Sequence, residues 1–215
     1  IGEIILVVIG ILIALSINNW NEKRKEEKEI RNIFARIVQD LNQSVTEIER
    51  ETAKMSGRHA LMLDIRKGEV NRDSLLTNDE YFNKYWNCTT GFPDIKINDT
   101  GIRLLESKIE TNYELSNDLT EALTLLYSEQ LFEFEIDTQS LTSNFSRLGN
   151  YIDEKGIRVD YKVNDDRTTF INMIFEDRMF KNYFFPYSRN YIVYKNRLKK
   201  FKTEGEVLIE KIKTK

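Results

Sequence analysis

Hydrophobic residues recur along residues 34–62 in alternating steps of four and three. They are Phe34, Val38, Leu41, Val45, Ile48, Thr52, Met55, His59 and Met62. This spacing places them on one stripe of a helix, the pattern of a coiled-coil seam. Gly57 is the only glycine between Trp20 and Gly68, and no proline interrupts that stretch. The pattern therefore predicts a single stalk helix over residues 21–68.

Two later segments carry a similar stripe. A long helix is predicted from Ser116–Asp118 to about Lys155, with Asp118 and Glu121 spaced as a loose N-cap box. Its buried stripe is Leu123, Tyr127, Leu131, Phe134, Thr138, Leu141, Phe145, Leu148 and Ile152. After Pro186 a last helix is predicted, with the stripe Tyr187, Tyr191, Tyr194, Leu198, Phe201, Gly205, Leu208 and Ile212. Packing of this stripe antiparallel on the first predicts a mainly α fold, a helical bundle over residues 69–215 built on the stalk.

The segments between these helices follow other patterns. Residues 69–99 carry turn residues on both sides of a short aromatic helix, DEYFNKYWN. In GIRVDYKV, the side chains of Ile157, Val159, Tyr161 and Val163 alternate with polar ones, which predicts a strand. DIKI, residues 94–97, has the same period and could pair with it as a small two-stranded β ribbon. Asp165 and Asp166 are suited to cap a helix that reaches Phe180.

The N-terminal segment has no polar face. From Ile4 to Ile17 only Ser16 is polar, and Glu3 is the one charge among the first 21 residues. A bilayer span takes about 20 mostly apolar residues. Because the chain begins with Ile, we expect upstream residues to complete a transmembrane helix over residues 1–20. A buried core helix or a signal peptide would also be apolar, but no small-residue cleavage site follows.

Asn18, Asn19 and Trp20 are predicted to mark the membrane–water boundary, where indole rings prefer to lie. Within the span, Gly10 and Ala14 are four residues apart on one face, which allows a second helix to approach closely.

Glu3 falls within the same broad face as Gly10 and Ala14. If the span starts at Ile1, Glu3 lies among the headgroups. If apolar residues precede Ile1, it lies in hydrocarbon and is expected to contact a partner or to be protonated. The second alternative is the one we expect, so Glu3, Gly10 and Ala14 form the predicted membrane-helix interface.

The stretch GEIILVVIGILIALSINNWNEKRKE, Gly2–Glu26, resembles the anchor signature of an uncharacterised family of small single-pass membrane proteins from Bacteroidota. The block NDTGIRLLESKIETNYELSNDLTEALTLLYSEQ, Asn98–Gln130, resembles the second block of that family, a short helix followed by a long one. The resemblance implies a short basic segment before the span and a helical domain after it. It implies no activity.

The charges on the two flanks of the span give opposing indications of orientation. Lys23, Arg24, Lys25 and Lys28 would hold the domain in the cytoplasm, but glutamates are interleaved with them. The basic segment implied by the resemblance would stay cytoplasmic and export the rest. We expect a single-pass protein of the bacterial inner membrane with a periplasmic domain.

Composition excludes several classes of function. Among 215 residues, Lys and Arg number 32 against 35 Asp and Glu, so no basic excess favours nucleic acid as a partner. The single cysteine, Cys88, excludes an intramolecular disulfide framework and a cysteine-rich metal site. His59 is the only histidine and lies on the first stripe, where no nucleophile with a supporting base is evident. We therefore predict no enzyme, no cofactor and no metal site.

The aromatic block Phe170–Tyr187 is too apolar to lie wholly on the surface, and we predict a partner patch within it at Phe184 and Phe185. Together these features predict a membrane-anchored, non-enzymatic interaction or scaffold protein, a subunit or accessory of a larger membrane assembly. Its expected partners are the lipid bilayer, a second copy of itself or other membrane-protein subunits. The alternative is an extracytoplasmic ligand-sensing helical domain that acts through a partner.

Overall fold

The computed structural model describes residues 2–93, 95–112 and 117–214, and their side chains from Leu6 onward. These residues form eight α-helices and no strand, which confirms the prediction of a mainly α chain. The helices are α1 (Gly2–Lys67), α2 (Arg72–Thr77), α3 (Asp79–Thr90), α4 (Thr100–Thr111), α5 (Asp118–Glu154), α6 (Ile157–Asn164), α7 (Thr168–Glu176) and α8 (Arg178–Lys213).

Helix α8 lies antiparallel against α1. His59, late in α1, contacts Lys195 across 3.0 Å between Nδ1 and Nζ. Leu41, earlier in α1, lies opposite Gly205, later in α8, where a Cβ atom would stand 3.4 Å from Leu41 Cδ2. Because Gly205 has no side chain, the two helices approach closely at this level.

Helix α8 is also antiparallel to α5. The ring centroids of Tyr127 and Phe201 are 5.7 Å apart, and those of Phe134 and Tyr194 are 5.0 Å apart. The predicted stripes form the core of the molecule. On α8 the buried residues include Tyr187, Tyr191, Tyr194, Leu198, Phe201, Gly205 and Leu208.

Helix α4 crosses α1 at Gly101. A Cβ atom at this position would lie 2.8 Å from the backbone nitrogen of Ile37, so only glycine fits without displacement. The fully buried carboxylate of Asp40 accepts a hydrogen bond of 2.8 Å from the Gly101 amide. Arg36 Nε lies 3.0 Å from the other oxygen of Asp40 and balances its charge. This pair of contacts fixes the start of α4 on α1.

The predicted β ribbon is wrong. GIRVDYKV forms helix α6, where Ile157 and Tyr161 are one turn apart and point toward the core. The Tyr161 ring packs 4.7 Å from Trp86, while Val159 and Val163 are 55% and 75% exposed. Spacing by four residues therefore buries Ile157, partly buries Tyr161 and leaves the other two apolar side chains in solvent. Residues 95–97 form no strand, and Asp94 lies outside the described residues.

Several predicted helix ends also differ. Helix α5 is capped by Asn117 and Thr120 rather than by Asp118 and Glu121. Residues 72–77, predicted as turn, form the short helix α2.

The helix predicted to reach Phe180 ends at Glu176, because Asp177 caps a new helix there. That helix, α8, runs through Pro186, which is exposed on its surface. Solvent can satisfy the backbone carbonyl that a proline leaves without a donor.

Candidate functional site

The N-terminal end of α1 carries a continuous exposed apolar surface. Every residue from Leu6 to Ile17 is exposed, around the full circumference of the helix. Exposure is 71% at Leu6, 57% at Leu12 and 60% at Ile17. Along α1 from Leu6 onward, the first buried residue is Ile33. A helix that is apolar on all sides is normally buried in a protein core or in lipid.

Two of the three predicted interface residues lie on this segment. Gly10 and Ala14 are exposed one turn apart, and a Cβ atom built at Gly10 meets no atom of the chain within 4 Å. Their face is therefore open to another helix. The side chain of Glu3 lies outside the described side chains.

The predicted boundary residues follow directly. Asn18 Nδ2 donates a 3.1 Å hydrogen bond to Glu22, so the polar surface of α1 begins here. Trp20 is 63% exposed, and the Arg24 guanidinium lies 5.7 Å from its ring centroid. An aromatic ring beside a cation one turn further suits an interface between apolar and aqueous surroundings.

The predicted patch at Phe184 and Phe185 is wrong for Phe184. Its side chain is fully buried, with its ring 5.1 Å from that of Phe180, so it belongs to the core. Phe185 is 38% exposed, and the Arg66 guanidinium lies 5.6 Å from its ring. Neighbours four residues apart share a face of a helix, whereas consecutive residues do not.

A buried cation lies at the contact of α1 and α8. Lys195 is 7% exposed, and its Nζ lies 3.0 Å from Nδ1 of His59. Because an ammonium only donates, this contact is made by a neutral imidazole whose proton is on Nε2. Burial lowers the pKa of Lys195, and the nearby Lys199 lowers it further. Burial, followed by the charges of Lys195 and Arg66, lowers the pKa of His59.

The sequence patterns missed Lys195 and Asp40, although both lie at stripe spacing. Asp40 continues a second stripe on α1, after Ile33 and Ile37 and before Ser44 and Ile48. A polar residue within a helical stripe is the signal that could have identified each of them.

The thiol and phenols near this contact stay protonated at neutral pH. Cys88 is fully buried, and burial raises its pKa to about 12. Burial also raises the pKa of Tyr191 to about 12 and that of Tyr187 well above its ordinary range. Tyr187 donates a 2.8 Å hydrogen bond to the carbonyl of Gly91, which ties α8 to the end of α3. These groups act as packing and hydrogen-bonding residues.

The described residues contain no group of three or more His, Cys, Asp or Glu side chains placed to hold a metal ion. None of their helices is both long and apolar enough to cross a membrane.

Comparison with known proteins identifies one similarity. Residues 3–64, less than half of the chain, match the model of a family of unknown function (DUF6090). The matched region covers nearly all of α1 and does not extend to Asn98–Gln130. No match was found among curated proteins or among solved structures.

Proposed function

We propose that the protein is a membrane-anchored, non-enzymatic interaction or scaffold protein and a subunit or accessory of a larger membrane assembly. The observation that carries the proposal is the apolar surface of residues 6–17, exposed on all sides of the helix whose other half lies in the bundle. Burial of this surface in lipid would remove it from water. The same helix would then join the bilayer directly to the core.

Vesicle flotation of the full chain tests the anchor. The wild type is expected to float with phosphatidylcholine vesicles. Leu12→Lys combined with Ile13→Lys should remain at the bottom of the gradient, because each charge in hydrocarbon costs about 3 kcal/mol. The matched control is Val159→Lys with Val163→Lys, two exposed positions on α6, which should float as the wild type does. Flotation of the Leu12/Ile13 variant would refute lipid burial.

The proposed location is the inner membrane of a bacterium, with one span and a periplasmic domain. Ser143→Cys provides a probe, since Ser143 is exposed on α5 whereas the native Cys88 is buried. A membrane-impermeant maleimide should label this thiol in cells whose outer membrane alone has been permeabilised. Labelling only after lysis of the inner membrane would place the domain in the cytoplasm.

The scaffold role predicts stable association within the membrane. Chemical crosslinking in native membranes should capture oligomers or other membrane subunits, and a chain recovered repeatedly as a lone monomer would count against the role. Gly10→Leu fills the open face and should remove crosslinks that pass through the anchor. Glu3→Leu should allow insertion without assembly if Glu3 is the polar contact of that face.

A second candidate, ligand sensing by the helical domain, is favoured by a groove of about 380 Å³ beside α7. Its lining includes Thr169, Asn172, Met173 and Glu176, a mixture of polar and apolar groups. A ligand that binds only the native state raises the apparent stability. A thermal-shift screen of a metabolite panel tests this function, and the shift should be reduced by Thr169→Val.

A further inference from the structure

The bundle carries a second exposed apolar surface, far along the chain from the N-terminal segment. On α5, Leu125, Phe132 and Ile136 are 52%, 65% and 47% exposed, and their spacing places them on one face. On α8, Val193 and Val207 are 41% and 51% exposed. Exposed apolar side chains that cluster on one face, unlike single scattered ones, are typical of interaction surfaces.

One residue of each stripe borders a groove. Leu125 and Val207 line a cleft of about 350 Å³ between α5 and α8, together with Glu129 and Lys200. Since Phe134 lies beside Tyr194 in this antiparallel pair, Ile136 and Val193 stand at the same level further along. The five apolar side chains and the cleft are here called the α5–α8 face.

The charges around the α5–α8 face are separated by helix. On its α5 border the exposed charged residues are Glu121, Glu129 and Glu135. On its α8 border the exposed basic residues are Arg189, Lys200 and Lys211, and the carboxylate of Glu204 lines the cleft beside Lys200. The α5 edge of the face is therefore acidic, and the α8 edge carries an excess of basic residues.

We propose that the α5–α8 face is the interface of a symmetric dimer, with α5 of each copy packed on α8 of the other. A two-fold axis parallel to the helices brings the acidic edge of one copy against the basic edge of the second. An axis across the helices would instead bring α5 against α5 and oppose like charges. Self-complementarity of this kind is what a two-fold interface requires.

The helix register specifies the contacts. Tyr127 lies beside Phe201 and Phe134 beside Tyr194, so Glu129 stands at the level of Lys200. A two-fold axis along the helices preserves levels, and Glu129 of one copy then faces Lys200 of the second. Within one chain, Lys200 has only the distant Glu204, at 3.8 Å, as an ion-pair partner among the described residues. Its ammonium is therefore available for a closer pair.

The same axis leaves both copies of α1 pointing in one direction. The dimer deepens the scaffold role proposed above and rests on it for its membrane setting. Its test, however, is the mass of the complex and not membrane binding, so the two can fail separately. The α5–α8 face is also separate from the Gly10–Ala14 face of the anchor.

Charge reversal in the full chain tests the proposal, with the mass measured by light scattering in detergent. The wild type is expected to be a dimer. Glu129→Lys and Lys200→Glu should each weaken the dimer at least tenfold, and the double variant should restore it. Glu80→Lys, an exposed reversal on α3, is the matched control and should leave the mass unchanged. Circular dichroism confirms that each variant is folded.

Three results would overturn the proposal. The wild type could be a monomer at all concentrations tested. The single reversals could leave the dimer intact, with only Gly10→Leu dissociating it, which would place the interface in the anchor. The double variant could fail to recover while both single variants remain folded, which would show that Glu129 and Lys200 do not face each other.

Discussion

The ammonium of Lys195 lies 3.0 Å from Nδ1 of His59 and joins α8 to α1. A buried cation whose hydrogen-bond partner is a neutral imidazole retains much of its desolvation cost, since no opposite charge offsets it. Lys195→Met keeps a flexible side chain of similar length without the charge. We expect it to raise the free energy of unfolding by about 1 kcal/mol in chemical denaturation. Lys84→Met, at an exposed position on α3, is the control and should change little.

The same contact predicts a dependence of stability on pH. In the folded protein the pKa of His59 is lowered from 6.5, first by burial and then by the charges of Lys195 and Arg66. The unfolded chain therefore binds a proton that the folded chain resists, and stability is lost as pH falls below 6.5. Unfolding measured between pH 8 and 5 should show this loss, and Lys195→Met should reduce it. An unchanged slope in the variant would contradict the role of Lys195.

The crossing of α4 over α1 gives a matched pair of glycine substitutions. Gly101→Ala would bring a Cβ atom within 2.8 Å of the Ile37 backbone and should cost about 2 kcal/mol of stability. Gly57→Ala, inside α1 with no atom within 4 Å of the added carbon, should instead stabilise the protein by about 0.7 kcal/mol. Thermal unfolding of the two variants checks the difference in sign. Equal changes in stability for the two variants would mean that α4 can move away from α1 without loss of stability.

The cap of α8 predicts sensitivity to acid. Asp177 accepts hydrogen bonds from the amides of Met179 and Phe180 at 2.8 and 3.1 Å, and another from the Tyr151 hydroxyl. Burial alone would raise the pKa of Asp177, but the hydrogen bonds from Tyr151 and the two amides lower it. The stabilisation is therefore present above its ordinary value of 3.8 and is lost as pH falls below it.

Asp177→Ala removes all three bonds and should cost about 1.5 kcal/mol at neutral pH. The variant should also lose less stability than the wild type between pH 5 and 3. Asp73→Ala, an exposed acid in the first turn of α2, is the control. An identical acid response in all three proteins would contradict the cap.

Cys88 is predicted to be chemically inert in the folded protein. Its thiol is fully buried and its pKa is raised to about 12, so almost no thiolate exists at pH 8. A maleimide should label it only at the rate of unfolding, whereas the exposed thiol of Ser143→Cys should react within minutes. Rapid labelling of Cys88 would show that α3 opens without global unfolding.

The long helices were predictable because their stripes are long. One spacing repeats over many turns from Tyr187 to Leu208, so it determines which side of the helix faces the core. That side is buried as predicted. The short segment Ile157–Asn164 has too few turns for a period to be decisive. Its alternation indicated a strand, but the segment is a helix whose Tyr161 ring packs against Trp86.

The buried polar contacts depend on residues distant in sequence. Asp40 meets Gly101, and His59 meets Lys195, only because the helices cross at particular levels. Stripe spacing shows that Asp40 and Lys195 face inward, but it does not show what they face. Composition shows that residues 6–17 are apolar on all sides, which is typical of a helix in a protein core or in lipid. Only the structure shows that this segment lies outside the bundle.

Helix α1 runs unbroken from Gly2 to Lys67, so the distance and the rotation between its two ends are coupled. From Trp20 to the first buried residue, Ile33, the helix rises about 20 Å. Each residue inserted there would move the bundle by about 1.5 Å and turn it by about 100°. An insertion of seven residues would move the bundle by about 10 Å along the axis with almost no net rotation. An insertion of two residues would instead turn the α5–α8 face to the opposite side of the axis. The stretch between Trp20 and Ile33 therefore sets both the distance of the bundle from the N-terminal segment and the rotation of its surfaces about the axis of α1.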